Sequence, residues 1–205
     1  ILKLRGNQNI LLLMPASRPQ ELKYILPTFL KTAKKLQLRY PSLVVYIPSC
    51  RRVFDEKFRK GLEKYEIRGK VISQQEDSEL MPYIYSLAKL ALCKSGTVNM
   101  ELALYGIPQI IGYRVSRVTA FIAKRILNFK VRFISPVNLL MKKFIIPEFV
   151  QKNFNEKKIF YKACRLLDLK SEKTKIKKGY ALLKKELGEE GVVDRAAKEI
   201  INSII

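Results

Sequence analysis

The chain alternates short apolar runs with longer segments in which apolar residues recur every three or four positions. The short runs have the length and composition of buried parallel strands, whereas the longer segments have the period of amphipathic helices. The predicted strands are residues 10–14, 43–47, 70–72, 90–93, 110–111 and 133–134. This alternation predicts an α/β fold, a Rossmann-like parallel sheet with helices on both faces.

The predicted helices connect these strands and continue beyond the last of them. Between the strands, helices are expected over residues 19–38, 53–64, 78–87 and 116–127, and one more begins at residues 95–97. Pro27 should kink the first helix or shift its start. Residues 147–151 are expected to open a helix or turn. The sheet is then followed by C-terminal helices, predicted over residues 157–167, 172–187 and 192–204.

Length and composition limit the class of protein. With 205 residues, of which 48% are hydrophobic, the chain can form one domain with a substantial core. No apolar run approaches the roughly 20 residues needed to cross a bilayer, so any membrane contact is expected to be peripheral. The absence of histidine and the odd count of three cysteines argue against a zinc site or a disulfide framework, and favour a reducing compartment. Because the chain begins with Ile1 and not Met, we interpret it as part of a longer protein.

The charge of the chain is strongly positive and unevenly distributed. The formal net charge is +22, and residues 102–147 contain eight bases and no acid. Such a charge attracts phosphate on a nucleotide, a nucleic acid or an anionic lipid. A composition rich in Lys, Ile, Asn and Phe also arises from nucleotide bias in a genome, which would add charge without a function. Charge alone therefore leaves the partner open.

One stretch combines strand, loop and helix signals with polar chemistry. The loop Ser95-Gly96-Thr97 follows the predicted strand 90–93 and opens a helix. A hydroxyl there can cap free N–H groups, and Gly96 lets a ligand approach the backbone, so the helix start is a candidate anion site. Glu101, four residues after Thr97, could hydrogen-bond a ribose. The alternative is that the hydroxyls are only caps and Glu101 only a favourable charge near the helix start.

Several motifs occur together and in one order between residues 10 and 159. They are Pro15-Ala16-Ser17-Arg18-Pro19-Gln20-Glu21-Leu22, Ser95-Gly96-Thr97 with Glu101, Pro108 with Tyr113-Arg114, Asn138, and Pro147-Glu148-Phe149-Val150-Gln151. In this combination the chain resembles the lipid-A-disaccharide synthase family. The resemblance implies a two-domain glycosyltransferase of the GT-B type. Residues 1–205 would be its C-terminal, nucleotide-sugar-binding domain, and the N-terminal acceptor domain is absent.

The resemblance also implies a reaction and its partners. The expected enzyme is a hexosyltransferase that moves 2,3-diacylglucosamine from UDP to 2,3-diacylglucosamine 1-phosphate, forming lipid A disaccharide and UDP. Its ligands would be UDP-2,3-diacylglucosamine and an acceptor of the lipid X type, with no cofactor and no metal. The expected location is cytoplasmic and peripheral on the inner membrane, in contact with an anionic membrane surface. No nucleic acid partner is expected, and a homodimer stays open.

The matched positions imply a role for each candidate residue. Arg18 and the helix start at Ser95-Gly96-Thr97 would stabilise the diphosphate of the leaving group, which needs fixed donors and cations. Glu101 would hold the ribose. Ser17 and Asn138 would hydrogen-bond phosphate or sugar.

The resemblance also assigns the closure of the site and shows where the chain departs from the family. Glu148 and Gln151 would close the nucleotide site. The family usually has Gly where Ala16 stands and Pro where Val137 stands. The resemblance implies that the acceptor site, the membrane contact and the catalytic carboxylate lie in the missing half, so the catalytic residues are unknown. This segment alone should bind nucleotide without catalysing transfer.

Two other readings fit parts of the sequence. Another UDP-sugar transferase or epimerase of the same architecture would have similar diphosphate loops. A basic nucleic-acid-binding module would explain the net charge and the lysine-rich C-terminal third, although no RNA- or DNA-binding motif is present and the aromatic residues are not clustered.

Overall fold

Six parallel strands form one sheet in the computed structural model, which describes residues 9–15, 18–73, 78–116, 132–189 and 191–204. In chain order the strands are β1 Asn9–Met14, β2 Leu43–Ser49, β3 Gly69–Ser73, β4 Ala88–Cys93, β5 Gln109–Tyr113 and β6 Glu148–Val150. Their order across the sheet is β3-β2-β1-β4-β5-β6, and all neighbours are parallel. The predicted Rossmann-like α/β fold is confirmed.

Helices connect the strands and follow the sheet. The described helices are α1 Pro19–Arg39, α2 Arg52–Lys64, α3 Met81–Leu87, α4 Val98–Leu104, α5 Pro136–Met141, α6 Glu156–Asp168, α7 Lys170–Leu187 and α8 Val192–Ile204, with 3-10 turns at Ser78–Leu80 and Gln151–Asn153. The predicted C-terminal helices are confirmed with small shifts in their ends. Helix α1 starts at Pro19, as predicted, and continues through Pro27. Apart from Ser116, the helix predicted over residues 116–127 lies outside the described residues.

Strand β1 lies at the centre of the sheet and of the core. The side chains of residues 10–13 are fully buried, because β2 and β4 flank the strand and helices cover the sheet. A strand buried on both faces has no polar positions, which explains its unbroken apolar run. Each such buried aliphatic side chain contributes about 1.5–3 kcal/mol relative to an exposed one.

The edge strand β6 differs from the prediction. The strand expected at residues 133–134 is wrong: Phe133 packs against Phe144, with ring centroids 4.8 Å apart, and the N–H of Ile134 donates to the Glu148 carboxylate at 2.8 Å. Residues 148–150 pair with β5 instead, with Glu148 opposite Ile111. The Glu148 carboxylate thus accepts the hydrogen bond from the Ile134 N–H that a neighbouring strand would otherwise accept.

Helix α6 closes one side of the sheet by packing along α1. The rings of Phe29 and Phe154 meet edge to face at 5.4 Å. They pass so close to Gly112 that a Cβ there would lie 2.1 Å from Phe154 Cε2, so β5 needs glycine at this position. At the far end of α6, Asp168 accepts hydrogen bonds from Tyr40 at 2.8 Å and from Arg39 at 3.2 Å.

Helix α7 is attached both to the sheet and to α6. The buried hydroxyl of Tyr180 donates to the Ile107 carbonyl and accepts from Gln109 Nε2, each at 3.0 Å. Glu172 accepts from Lys162 at 2.7 Å and from Arg165 at 2.6 Å. None of the described helices is both long enough and apolar enough to cross a membrane.

The Glu172 contacts predict an acid-sensitive contribution to stability. The hydrogen bonds from Lys162 and Arg165 lower the pKa of Glu172 to about 2. A carboxylate with a lowered folded-state pKa stabilises the fold above its unfolded-state pKa of about 4.3, and this contribution disappears as the pH falls towards 2. Glu172→Gln should therefore lower the unfolding free energy by about 1–2 kcal/mol at neutral pH. The loss is limited because Arg165 is partly exposed and water screens its interaction with Glu172.

Urea unfolding of both proteins between neutral pH and pH 2 measures this effect. The difference in unfolding free energy should shrink as the pH falls. A matched control is Glu66→Gln, because Glu66 pairs with Lys34 but its side chain is 85% exposed; it should change stability little at any pH. A pH-independent difference for Glu172→Gln would contradict the assignment.

Candidate functional site

The strand order creates a crevice at the carboxyl edge of the sheet, between β1 and β4. The chain after β1 leads through α1 to β2 on one side, whereas the chain after β4 leads through α4 to β5 on the other. Ligands bind in open parallel sheets where two such connections diverge. The N–H of Lys94 donates to the Met14 carbonyl at 3.0 Å, so the two strands stay paired up to this crevice.

An ion pair connects the two sides of the crevice. Lys94 Nζ lies 2.9 and 3.1 Å from the two carboxylate oxygens of Glu21, in the first turn of α1. The two side chains are only 16% and 14% exposed. No motif in the sequence marks Lys94, because its partner lies 73 residues away and only the fold brings them together.

The loop after β4 is held by a buried amide. Asn99 Oδ1 accepts from the N–H of Gly96 at 2.9 Å, and its Nδ2 donates to the Lys94 carbonyl at 3.0 Å. The N–H groups of Ser95 and Thr97 donate to no other residue in the described part of the chain. Apart from its chain neighbours, the nearest described atom to a Cβ at Gly96 would be Lys94 Cε, at 3.7 Å. Asn99 thus fixes the loop, and two of its N–H groups have no partner among the described residues.

The predicted hydroxyl cap of α4 is wrong. The cap residue Thr97 makes no side-chain cap bond, and the hydroxyl of Ser95 donates to the Ile134 carbonyl. The loop does depend on a polar side chain, but that side chain is Asn99 and not a hydroxyl of Ser95 or Thr97. Thr97 and Glu101 are both exposed on α4, as the spacing predicts. Burial, and then the nearby Glu101 carboxylate, raise the pKa of Tyr85.

Arg18 is the cation on the α1 side of the crevice. It is the N-cap residue of α1 and is exposed, and its side chain forms no ion pair or hydrogen bond with another described residue. Its guanidinium therefore has all its donors available for an anion. Ser17 lies outside the described residues.

Glu148 and Asn138 form a network that shapes the segment next to Ser95. Glu148 accepts from the backbone of Ile134 and Ser135 at 2.8 and 2.9 Å, from the Ser135 hydroxyl at 2.7 Å and from Asn138 Nδ2 at 2.7 Å. Asn138 is fully buried, and its Oδ1 accepts from the N–H groups of residues 145 and 146 at 2.8 and 3.0 Å. This geometry leaves Asn138 no free group for phosphate or sugar; its position supports the loop.

Gln151 lies at the carboxyl end of β6 in a strained turn. Its φ is 50°, an uncommon conformation for a residue other than glycine. Its carbonyl accepts from Arg114 at 3.1 Å, and Arg114 also donates to the Phe154 carbonyl. Arg114 therefore fixes the turn that carries Gln151, and the strain is held by these contacts.

The described residues offer little for a metal. No three His, Cys, Asp or Glu side chains among them lie close enough together to hold an ion. The thiols of Cys50, Cys93 and Cys164 are free, and burial raises the pKa of Cys93.

Comparison with known proteins identifies the family. A sequence model of the family described as Lipid-A-disaccharide synthetase matches residues 1–204. The chain belongs to this family. The lipid-A-disaccharide synthase of Prochlorococcus marinus (strain MIT 9313) is 47% identical over 201 residues, which cover 98% of this chain and 51% of that protein. The chain thus spans about half the length of the curated relatives it matches.

Solved structures share the fold at low identity. The UDP-GlcNAc 2-epimerase of Neisseria meningitidis, bound to UDP-GlcNAc, aligns with a TM-score of 0.55 and 14% identity over 89% of this chain and 44% of its own. The C-terminal CMP-Kdo binding domain of WaaA from Acinetobacter baumannii aligns with a TM-score of 0.55 and 9% identity, over 90% and 91% of the two chains. At this identity the similarity shows the fold alone.

A cavity in the described part of this synthetase-family chain lies at the opposite, amino edge of the sheet. It has a volume of about 670 Å³ and is lined by the residues that end α1, α3 and α4, namely Tyr40, Ala88 and Tyr105. Helix C-termini carry partial negative charge, which disfavours a diphosphate there. Lysines that line the cavity, such as Lys89 and Lys177, offset this charge. The charge of this cavity is thus mixed, whereas the free N–H groups and Arg18 at the carboxyl edge all suit an anion, and we place the candidate site there.

The Glu148 network predicts a large effect of a small substitution. In Glu148→Gln, an amide N–H₂ would face donors that the carboxylate now accepts, so the change should cost about 3 kcal/mol of folding stability. Urea unfolding measures it. The same substitution at Glu56, whose pair with Lys60 leaves both side chains more than 70% exposed, should cost less than about 0.5 kcal/mol. Equal losses in the two variants would contradict the structural role of Glu148.

Proposed function

We propose that the protein to which this chain belongs transfers 2,3-diacylglucosamine from UDP to 2,3-diacylglucosamine 1-phosphate, forming lipid A disaccharide and UDP. In this proposal residues 1–205 are the nucleotide-sugar-binding domain, and the acceptor site belongs to an N-terminal domain. The observation that carries the proposal is the family match over residues 1–204. The available donors at the β1–β4 crevice supply the chemistry that a UDP-sugar needs.

The diphosphate is the part of the donor that this site fits best. In the transfer, the acceptor hydroxyl oxygen bonds to the anomeric carbon while the bond from that carbon to the β-phosphate oxygen breaks. The electron pair stays on the phosphate, so negative charge grows on the departing UDP. Fixed N–H groups and cations stabilise such charge. The N–H groups of Ser95 and Thr97, together with Arg18, can supply them, while Lys94 stays paired with Glu21 in the same crevice.

The remaining candidates take two kinds of role. Glu101 would accept the ribose hydroxyls from its exposed position on α4, and Gln151 would close the nucleotide side from its turn. Glu148 and Asn138 would act as positioning residues, because their polar groups hold the segment that contacts Ser95. The proton of the acceptor hydroxyl would go to a carboxylate of the N-terminal domain.

The proposed substrates also suggest a location. Donor and acceptor both carry acyl chains, so the enzyme would work at the cytoplasmic surface of the inner membrane as a peripheral protein. The excess of basic residues fits contact with anionic lipid headgroups. Assembly as a homodimer stays a prediction.

UDP binding by this chain tests the proposal. Calorimetry should detect UDP binding, and Arg18→Ala should weaken it by about 1–3 kcal/mol, the loss expected for a charged hydrogen bond. Gly96→Ala should weaken binding similarly, because its methyl group fills the space beside the free N–H groups. It should leave the unfolding midpoint unchanged, because, apart from the chain neighbours, the nearest described atom is Lys94 Cε at 3.7 Å.

A matched control distinguishes the crevice from general charge attraction. Arg51 is the N-cap residue of α2, just as Arg18 is the N-cap residue of α1. It stands beside β2, about 10 Å from β4 at roughly 5 Å per strand. Arg51→Ala should leave UDP affinity unchanged. Equal weakening by both arginine variants would show that UDP binds through the overall charge and would contradict the proposed site.

UDP binding should not depend on a divalent metal. Two of the described carboxylates beside the crevice are already used, because Glu21 pairs with Lys94 and Glu148 accepts from four donors. The third, Glu101, is assigned to the ribose, and a single carboxylate is a poor metal site. The cationic groups around the crevice do the work that Mg²⁺ does in carboxylate-rich sites. Calorimetric affinity should be the same with EDTA and with added Mg²⁺, and a strong loss in EDTA would contradict this assignment.

A further inference from the structure

Helix α5 and the turn after it display apolar side chains to solvent. Leu139, Leu140 and Phe144 are 61%, 49% and 63% exposed, and Lys142 and Lys143 stand between them in the sequence. We call these five residues the α5 patch. Single exposed apolar residues are ordinary on protein surfaces, but three within six positions, with two lysines among them, form a short amphipathic segment.

The α5 patch is displayed by a rigid scaffold. Lys142 ends α5 in the left-handed conformation, with φ 50°, and Asn138 accepts from the two N–H groups that follow Phe144. The ring of Phe144 lies on Phe133, and its other side faces solvent. This conformation is uncommon for a residue other than glycine. The chain thus keeps the turn that exposes these side chains, although a relaxed turn would be cheaper.

The sequence around the α5 patch carries charge of one sign. No acid occurs between Glu101 and Glu148, and Glu148 is occupied by its four donors. Lys142 and Lys143 are exposed and pair with no other described residue. Helix α8 also exposes apolar residues, Ile200 and Ile201 among them, but it mixes acids with bases. Complementarity to an anionic surface therefore singles out the α5 patch.

The α5 patch adjoins the candidate nucleotide-sugar site. Ser135 is the N-cap residue of helix α5, and the carbonyl of the preceding residue, Ile134, accepts the hydrogen bond from Ser95. A surface that binds α5 would therefore lie close to the crevice. An acylated sugar held at Ser95 could then keep its acyl chains in the same surface.

We propose that the α5 patch docks the chain on an anionic lipid bilayer. Leu139, Leu140 and Phe144 enter the headgroup boundary, while Lys142 and Lys143 bind lipid phosphates, the arrangement of interfacial amphipathic segments. The inference rests on the proposed function, which supplies lipid-linked substrates, and adds the surface that reaches them.

Vesicle sedimentation with this chain tests the docking surface. It should bind vesicles of phosphatidylglycerol and phosphatidylcholine in equal parts, bind phosphatidylcholine alone weakly, and lose binding as salt rises. Lys142→Gln with Lys143→Gln should weaken binding about 25-fold, since each base near an anionic surface adds about fivefold. Leu139→Asn with Leu140→Asn should weaken it at least about tenfold, because apolar burial drives insertion.

Matched variants and a second readout separate the outcomes. Lys184→Gln with Lys185→Gln makes the same charge change on α7. Ile200→Asn with Ile201→Asn replaces two exposed apolar residues on α8 in the same way. Both control variants should bind vesicles as the unchanged chain does. UDP affinity and the unfolding midpoint should hold in all four variants. Vesicle binding that survives in both α5 variants, or falls equally in the α7 or α8 controls, overturns the proposal. If the unchanged chain binds no UDP but the vesicle pattern holds, the proposed function fails and the α5 patch stands.

Discussion

The parallel pairing of β1 with β4 is the constraint on which the rest of this structure depends. Parallel neighbours cannot be joined by a tight turn, so each needs a helical crossover, and the two crossovers leave in opposite directions. Both strands are buried on both faces, so polar chemistry is confined to their ends. The crevice, the free N–H groups and the two cations beside it follow from that single adjacency.

Irregular backbone near the crevice is ordered by a few buried polar side chains. A loop cannot satisfy its own N–H and C=O groups, so each buried group needs a side-chain partner. Asn99 serves the loop after β4, and Asn138 with Glu148 serves the segment that contacts Ser95. Their role explains why the two amides are fully buried and the Glu148 carboxylate is partly buried.

The excess positive charge has a simple structural distribution. Three partly buried carboxylates bind groups within the fold. Glu21, Glu148 and Glu172 each accept hydrogen bonds from basic side chains or from backbone N–H groups. Many lysines and arginines are left on the surface, where they keep their full hydration. A net charge alone therefore says little about the partner, whereas a local group such as the α5 patch, with apolar residues between its bases, specifies a kind of surface.

The sequence by itself determined the fold class, the family and the order of most elements. Strands buried on both faces appear as unbroken apolar runs, and amphipathic helices appear as apolar residues spaced three or four positions apart, so both can be recognised locally. It placed Arg18 and the loop at Ser95 at strand ends, as the structure does. It misplaced the edge strand, since Ile134 finds its partner in the carboxylate of Glu148. It also missed Lys94 and Asn99, and gave Asn138 a ligand role that its burial leaves no group to fill. Those assignments depend on partners distant in the sequence, or on which side chain lies within hydrogen-bonding distance of a backbone N–H group. Only the tertiary structure decides them.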